Sequence, residues 1–165
     1  EMLTVSRMEK ADAVIKQETI DLPALVRLQI DQAEDLARQR QQTVAAELAH
    51  GLTVTGDPSL LGRAISNLLI NALTYSPPGS LVRVQLSATA GVPLLAVENS
   101  NAHIPEEALP QLFEAFYRVD GSRNRESGSS GLGLYLVRMI LDRHHAVCRI
   151  RNTEGGVLAE IIFPQ

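Results

Sequence analysis

The sequence predicts an α+β fold, a two-layer sandwich with helices on one face of a mostly antiparallel sheet. Three observations point there. From Pro58 to Tyr75, the residues Leu61, Ala64, Ile65, Leu68 and Ala72 recur at three- and four-residue steps, as a helix with one buried stripe requires. Val82, Val84 and Leu86 instead alternate with polar residues, the pattern of a strand with one solvated face. Strand-like runs also come in pairs around short turns, Ala90-Gly91 in one and Glu154-Gly155-Gly156 in the other.

Taken in order, Glu1 to about Lys16 carries Leu3, Val5, Met8 and Val14 among charges and reads as the tail of a helix. Having lost its packing partner, such a tail is expected to fray or to pair with a second copy. Thr19-Ile20 reads as a brief strand, and Asp21 caps a helix running to about Gln42. Val44 to Leu48 and Leu52 to Thr55 read as two strands around a His50-Gly51 turn. Asp57 and Pro58 then open the periodic helix, an N-cap followed by a proline whose missing N–H costs nothing there. Ser76-Pro77-Pro78-Gly79 breaks it. Leu81 to Ala88 and Val92 to Glu98 make a hairpin, and a short helix follows Pro105. A helix from Gly131 to about His144 precedes a closing hairpin, Ala146 to Arg151 with Val157 to Phe163.

A chain of 165 residues with 45% hydrophobic content is enough for one domain with a sizeable core. A net charge of -4 and a pI near 5.6 give no reason to expect nucleic acid or an anionic membrane as partner. The single Cys148 rules out an internal disulfide and a cysteine-rich metal site. No apolar run approaches the length of a membrane span. The chain begins inside a pattern at Glu1, so it is expected to be a piece of something longer.

Two stretches carry the chemistry. Asn67 and Asn71 lie four apart on the flank of the periodic helix, where asparagine is a mediocre helix former. Either the two amides satisfy each other, or they offer neutral carbonyl oxygens to a hard cation carrying phosphates. From Asn99 to Ser130 regular periodicity lapses, and Asp120 to Ser130 is rich in Gly, Ser, Arg and Asn. It ends in Gly128-Ser129-Ser130-Gly131-Leu132-Gly133-Leu134, which enters a helix. The segment is either a tight turn or a place where free helix N–H groups meet an anion. It is not a P-loop, because no Lys-Ser/Thr follows the glycines.

The order of motifs narrows these alternatives. An Asn-x-x-x-Asn-Ala helix is followed by Val97-Glu98-Asn99, by Ile104-Pro105, by Leu112-Phe113-Glu114-Ala115-Phe116-Tyr117-Arg118 and by the Gly-Leu-Gly-Leu turn. In this order and spacing they resemble the N, G1, F and G2 boxes of the catalytic, ATP-binding domain of bacterial sensor histidine kinases. That family sits in the superfamily that includes gyrase and mismatch-repair ATPases. The Val-Glu-Asn form resembles the heavy-metal-sensor and vancomycin-resistance-type subset. The resemblance implies a Bergerat-type fold with a mixed, mostly antiparallel sheet, covering residues 17–165, and makes residues 1–16 the tail of a dimerisation-domain helix and its linker.

It also implies roles. Asn71 resembles the Mg²⁺ ligand, supported by Asn67, and the nucleotide would be ATP. An amide at position 67 cannot activate water, which fits transfer to a histidine over hydrolysis. Tyr75, Asn99, Ile104, Phe116, Gly131, Leu132, Gly133 and Leu134 resemble nucleotide-binding positions. Arg118 and Arg123 resemble lid residues that reach the phosphates, with Arg125 as a further candidate.

There are departures from the family pattern. Asn99 stands where an aspartate usually accepts a bond from the adenine amino group, and as a neutral acceptor it should bind more weakly. His103 replaces a glycine, Asn101 occupies a position suited to a left-handed backbone, Thr74 replaces a frequent Lys or Arg, and Ser129 replaces a frequent glycine. None of His50, His103, His144 and His145 is followed by the acidic residue of the family's phosphoacceptor, so surface or capping roles are expected. The implied partners are the protein's own dimerisation domain, in a homodimeric full-length protein, and a response regulator. The implied location is the cytoplasmic side of an inner-membrane sensor, with no direct membrane contact by this piece. Two other readings compete: a degenerate nucleotide-binding or regulatory module, and a serine-directed kinase or ATPase of the same superfamily.

Overall fold

The computed structural model describes residues 2–9, 14–117 and 131–163. Arg118, Arg123, Arg125 and Ser129 lie outside the described residues. The elements are α1 (Met2–Met8), β1 (Glu18–Asp21), α2 (Leu22–Gln39), β2 (Thr43–Leu48), β3 (Thr53–Gly56), α3 (Pro58–Thr74), β4 (Leu81–Thr89), β5 (Val92–Ser100), α4 (Gly133–Arg143), β6 (Val147–Asn152) and β7 (Gly156–Ile162). A single 3-10 turn, Leu109–Gln111, stands where a short helix after Pro105 was expected.

The helix boundaries follow their caps. Asp21 accepts from Ala24 N at the start of α2, and Asp57 Oδ1 accepts from Ser59 N and Leu60 N at the start of α3. At their C-termini α2 and α4 close alike. Gln42 N bonds Ala37 O and Gln41 N bonds Arg38 O, while Ala146 N bonds Leu141 O and His145 N bonds Asp142 O. These are Schellman closures, with Gln41 (φ 55) and His145 (φ 56) in the left-handed position that glycine usually takes.

The main sheet has five strands in the order β2-β4-β5-β7-β6, with β2 and β4 parallel and the other pairs antiparallel. A hairpin of β2 with β3, which the sequence suggested, does not form. β2 pairs with β4, Thr43 opposite Leu81, and β3 pairs antiparallel with β1 in a separate two-stranded sheet. Alternation says which side of a strand is buried but not which strand lies beside it, and a parallel partner needs a long crossover, here supplied by β3 and α3.

Val82, Val84, Leu86, Leu95, Val97 and Ile161 present one buried face of the sheet. The helices cover it, α2 over β2, α3 over β5 and α4 over β6, with α3 packed between α2 and α4. The predicted stripe of α3 is in this core, with Ala64 and Ile65 fully buried. On the other face Arg83 and Gln85 stay exposed, so the sandwich has two layers. The tail is not frayed among the described residues. α1 folds back on α4, burying Val5 and Met8, and Arg143 Nη2 donates to Met8 O at 3.0 Å.

Candidate functional site

α3, β5 and α4 converge on one concave cleft that opens to solvent, the kind of place where small-molecule ligands bind. Apolar side chains dominate its wall, among them Leu68, Val97, Ile104, Leu112, Leu134 and Ile150. Asn71, Tyr75, Asn99, His103 and Tyr117 bring the polar groups.

Asn71 and Asn67 lie on the flank of α3, both half-buried, beside the stripe that anchors the helix. Asn67 Nδ2 donates to Gly133 O at 3.3 Å, tying α3 to the first residue of α4. Because that partner is a carbonyl, the amide nitrogen must face it, and Asn67 Oδ1 remains an acceptor. Among the described residues the Asn71 amide makes no hydrogen bond and lines the cleft. Two neutral oxygens in this setting fit a magnesium ion that keeps phosphates and waters as its other ligands. No cluster of three His, Cys, Asp or Glu side chains able to hold a metal occurs among the described residues.

The C-terminus of α3 leaves carbonyls that the helix cannot satisfy, and each has a partner. Tyr75 N serves Asn71 O, and Ser76 Oγ donates to Ala72 O at 2.7 Å. Arg40 Nε and Gln42 Nε2 both donate to Leu73 O at 2.9 Å, and Arg40 Nη2 donates to Thr74 O at 3.1 Å. Asn99, 5% exposed at the wall of the cleft, donates from Nδ2 to Ser76 Oγ at 2.8 Å.

Asn101 has a φ of 58, the left-handed backbone its type suggested. Beyond it, Asn152 at the end of β6 grips Ile104 from both sides: Ile104 N donates to its Oδ1 at 2.8 Å, and its Nδ2 donates to Ile104 O at 2.7 Å. This clamp holds Ile104 at the cleft. Gly131 has a φ of 77, and a Cβ there would lie 2.8 Å from the Phe116 carbonyl carbon, so only glycine fits. Phe116 N in turn donates to Gly131 O at 2.9 Å. Among the described residues a Cβ at Gly133 would meet nothing within 4 Å. The N-cap of α4, Leu132, offers no side-chain acceptor, and among the described residues no side chain caps the N–H groups at the positive end of the helix dipole.

Of the residues singled out from sequence, Asn71, Tyr75, Asn99, Ile104 and Leu134 line the cleft together. Asn67, Gly131 and Gly133 sit beside it at the start of α4. Leu132 is buried in packing, 2% exposed, and is not part of the wall. Phe116 is 64% exposed with a φ of 64 and is not part of the wall, whereas Leu112 and Tyr117 line the cleft from that segment. Arg118 and Arg123 are outside the described residues. Sequence reasoning missed Ser76, read only as part of a breaker, and Asn152, which no motif marks. It also missed that His144 Nε2 accepts from Asp57 N at 3.0 Å while its Nδ1 meets Ile140 O at 2.7 Å, joining the end of α4 to the start of α3.

Residues 56–165 match the model of the "Histidine kinase-, DNA gyrase B-, and HSP90-like ATPase" family. The chain is 34% identical over 164 residues to the sensor protein VanSB of Enterococcus faecalis, covering 99% of this chain and 37% of that protein. It is 41% identical over 112 residues to the sensor histidine kinase CusS of Escherichia coli O157:H7, covering 68% of this chain and 23% of that one. This sequence thus spans well under half of either relative. The solved structure of a mycobacterial sensor histidine kinase, MprB, superposes with a TM-score of 0.76 at 28% identity, covering 90% of this chain and 97% of that one.

Proposed function

The chain belongs to the histidine kinase-, DNA gyrase B- and HSP90-like ATPase family, and from that premise we propose that it is the ATP-binding catalytic domain of a sensor histidine kinase. It passes the γ-phosphoryl of Mg-ATP to a histidine on a dimerisation domain, from which a response-regulator aspartate takes it. The observation that carries this reading is the cleft joining an apolar slot, the buried amide of Asn99 and the Asn71 amide, with the glycine entry to α4 beside it.

Each part has work suited to it. Ile104 and Leu134 flank the base, Asn99 reads its edge and Tyr75 lies at its rim. Gly131 and Gly133 let the phosphates approach the α4 N-terminus. Asn71, with Asn67, would hold a magnesium ion, which when bound neutralises phosphate charge. Arg118 and Arg123 are proposed to add charge at the γ-phosphoryl, since phosphoryl transfer rests on positioning and charge stabilisation. Asn67 has no basic atom to deprotonate water, so the cleft waits for a histidine nucleophile. Residues 1–16 are proposed as the junction to the dimerisation domain and 17–165 as the catalytic domain. The whole protein is then a homodimer that holds this domain on the cytoplasmic side of the membrane.

Calorimetric titration with a non-hydrolysable ATP analogue tests the reading first. Binding is expected only with Mg²⁺, and Asn71→Ala is expected to lose it while costing the fold no more than about 1–2 kcal/mol. Transfer from γ-labelled ATP to a separately supplied acceptor domain is the second test. It should be slow and should saturate only at high acceptor concentration, because the covalent junction is missing. Stable label on this chain alone, or brisk phosphate release without acceptor, would overturn the proposal.

A further inference from the structure

We infer that Ser76 sets the base specificity of the cleft, by locking the Asn99 amide so that it accepts from a 6-amino purine and rejects a 6-oxo purine. The inference rests on the nucleotide-binding reading above and deepens it. A serine hydroxyl has one proton. Here the end of α3 claims it: Ala72 O is one of the helix's last carbonyls, and Ser76 Oγ lies 2.7 Å from it as donor. Ser76 Oγ can then only accept from Asn99, 2.8 Å away, so Asn99 must turn its Nδ2 to Ser76. Asn99 Oδ1 has no hydrogen-bond partner among the described residues and is not sealed from the cleft.

An asparagine is ambiguous by itself, since a half-turn of its amide exchanges donor and acceptor. Rotated, it would present N–H to the cleft and suit the carbonyl of hypoxanthine or guanine. That rotation would set Asn99 Oδ1 against the lone pairs of Ser76 Oγ, both within a buried pair. The alternative, turning the Ser76 proton to Asn99, would orphan Ala72 O. Helix termination and base recognition are therefore coupled through one hydroxyl proton. Ser76 is a positioning residue: it acts through Asn99 and touches no ligand itself.

The test compares Mg complexes of ATP, inosine triphosphate and purine riboside triphosphate, which differ at position 6 of the base, by calorimetry on this chain. In the parent protein ATP should bind tightest and inosine triphosphate weakest, below the purine riboside analogue, because two carbonyl oxygens then face each other. Ser76→Ala frees the amide to rotate, so the preference for ATP over inosine triphosphate should fall about tenfold or more. Ser76→Thr keeps the hydroxyl and should restore it. A folded Ser76→Ala protein with an unchanged preference would overturn the inference. If Ser76→Ala does not fold, the parent series decides alone, and inosine triphosphate binding as well as the purine riboside analogue would overturn it. A parent that binds none of the three would instead defeat the nucleotide-binding reading.

Discussion

Asn99→Asp changes only an amide into a carboxylate, yet the hydrogen bonds around it pull in two directions. A charged acceptor strengthens the bond to an amino donor, so nucleotide binding should tighten by about 1 kcal/mol. The same carboxylate faces Ser76 Oγ, whose proton already serves Ala72 O. Either lone pairs oppose each other or Ala72 O loses its partner, and the unliganded fold should weaken by about 1–3 kcal/mol. Calorimetry and urea unfolding read the two effects separately. Tighter binding at unchanged stability would show that the Ser76 proton turns freely. Gly133 offers the converse split. None of the described residues crowds a Cβ there, and at the start of α4 alanine favours the helix by up to about 1 kcal/mol. Gly133→Ala should therefore unfold at the same or higher urea concentration while weakening Mg-ATP binding, because the methyl group occupies space that phosphates need. Undiminished affinity would remove Gly133 from the proposed site.

At the scale of an element, α2 and α4 end in the same closure with a side-chain-bearing residue held left-handed. Gln41 and His145 are both exposed, so neither conformation is repaid by burial of its side chain. Left-handed backbone disfavours non-glycine residues by about 1–2 kcal/mol, and glycine recovers part of this while losing more entropy on folding. Gln41→Gly and His145→Gly should each raise stability by roughly 0.5–1 kcal/mol, and because the two closures lead into β2 and β6, the opposite edge strands of the main sheet, the effects should add. Thermal unfolding of the single and double variants measures this. A loss in either would mean that its side chain contributes more than the backbone relaxation returns.

For the whole molecule, Cys148 on β6 links the packed layers to pH. Partial burial against the core pushes its thiol up to about 12, with the nearby Glu160 adding in the same direction. A free thiol ionises near 8.5. The folded form therefore holds its proton where the unfolded form gives it up. Stability from this group is complete below the unfolded value and is lost as pH rises toward the folded one. Between about pH 8 and 10.5 the effect is on the order of 2 kcal/mol. Urea titrations across that range should show the decline, and Cys148→Ala should flatten this share of it. Alkylation of the native thiol should be slow and should accelerate with urea. Rapid labelling of the folded protein would contradict the burial argument.

What the sequence determined by itself is local. The caps at Asp21 and Asp57, the α3 stripe, the Asn67–Asn71 flank, the left-handed Asn101 and the glycine entry to α4 depend on residues a few positions apart, so periodicity and turn chemistry reveal them. The order of the boxes marked the family for the same reason, since each box is short and contiguous. Tertiary structure alone decided the rest. Whether β2 lies beside β3 or β4 turns on a crossover, which alternation does not encode. The Asn99 amide is oriented by Ser76, 23 residues earlier, and Ile104 is held by Asn152, 48 residues later. A hydrogen bond's direction is set by what its partner already donates or accepts, and that exists only once distant segments have been brought together.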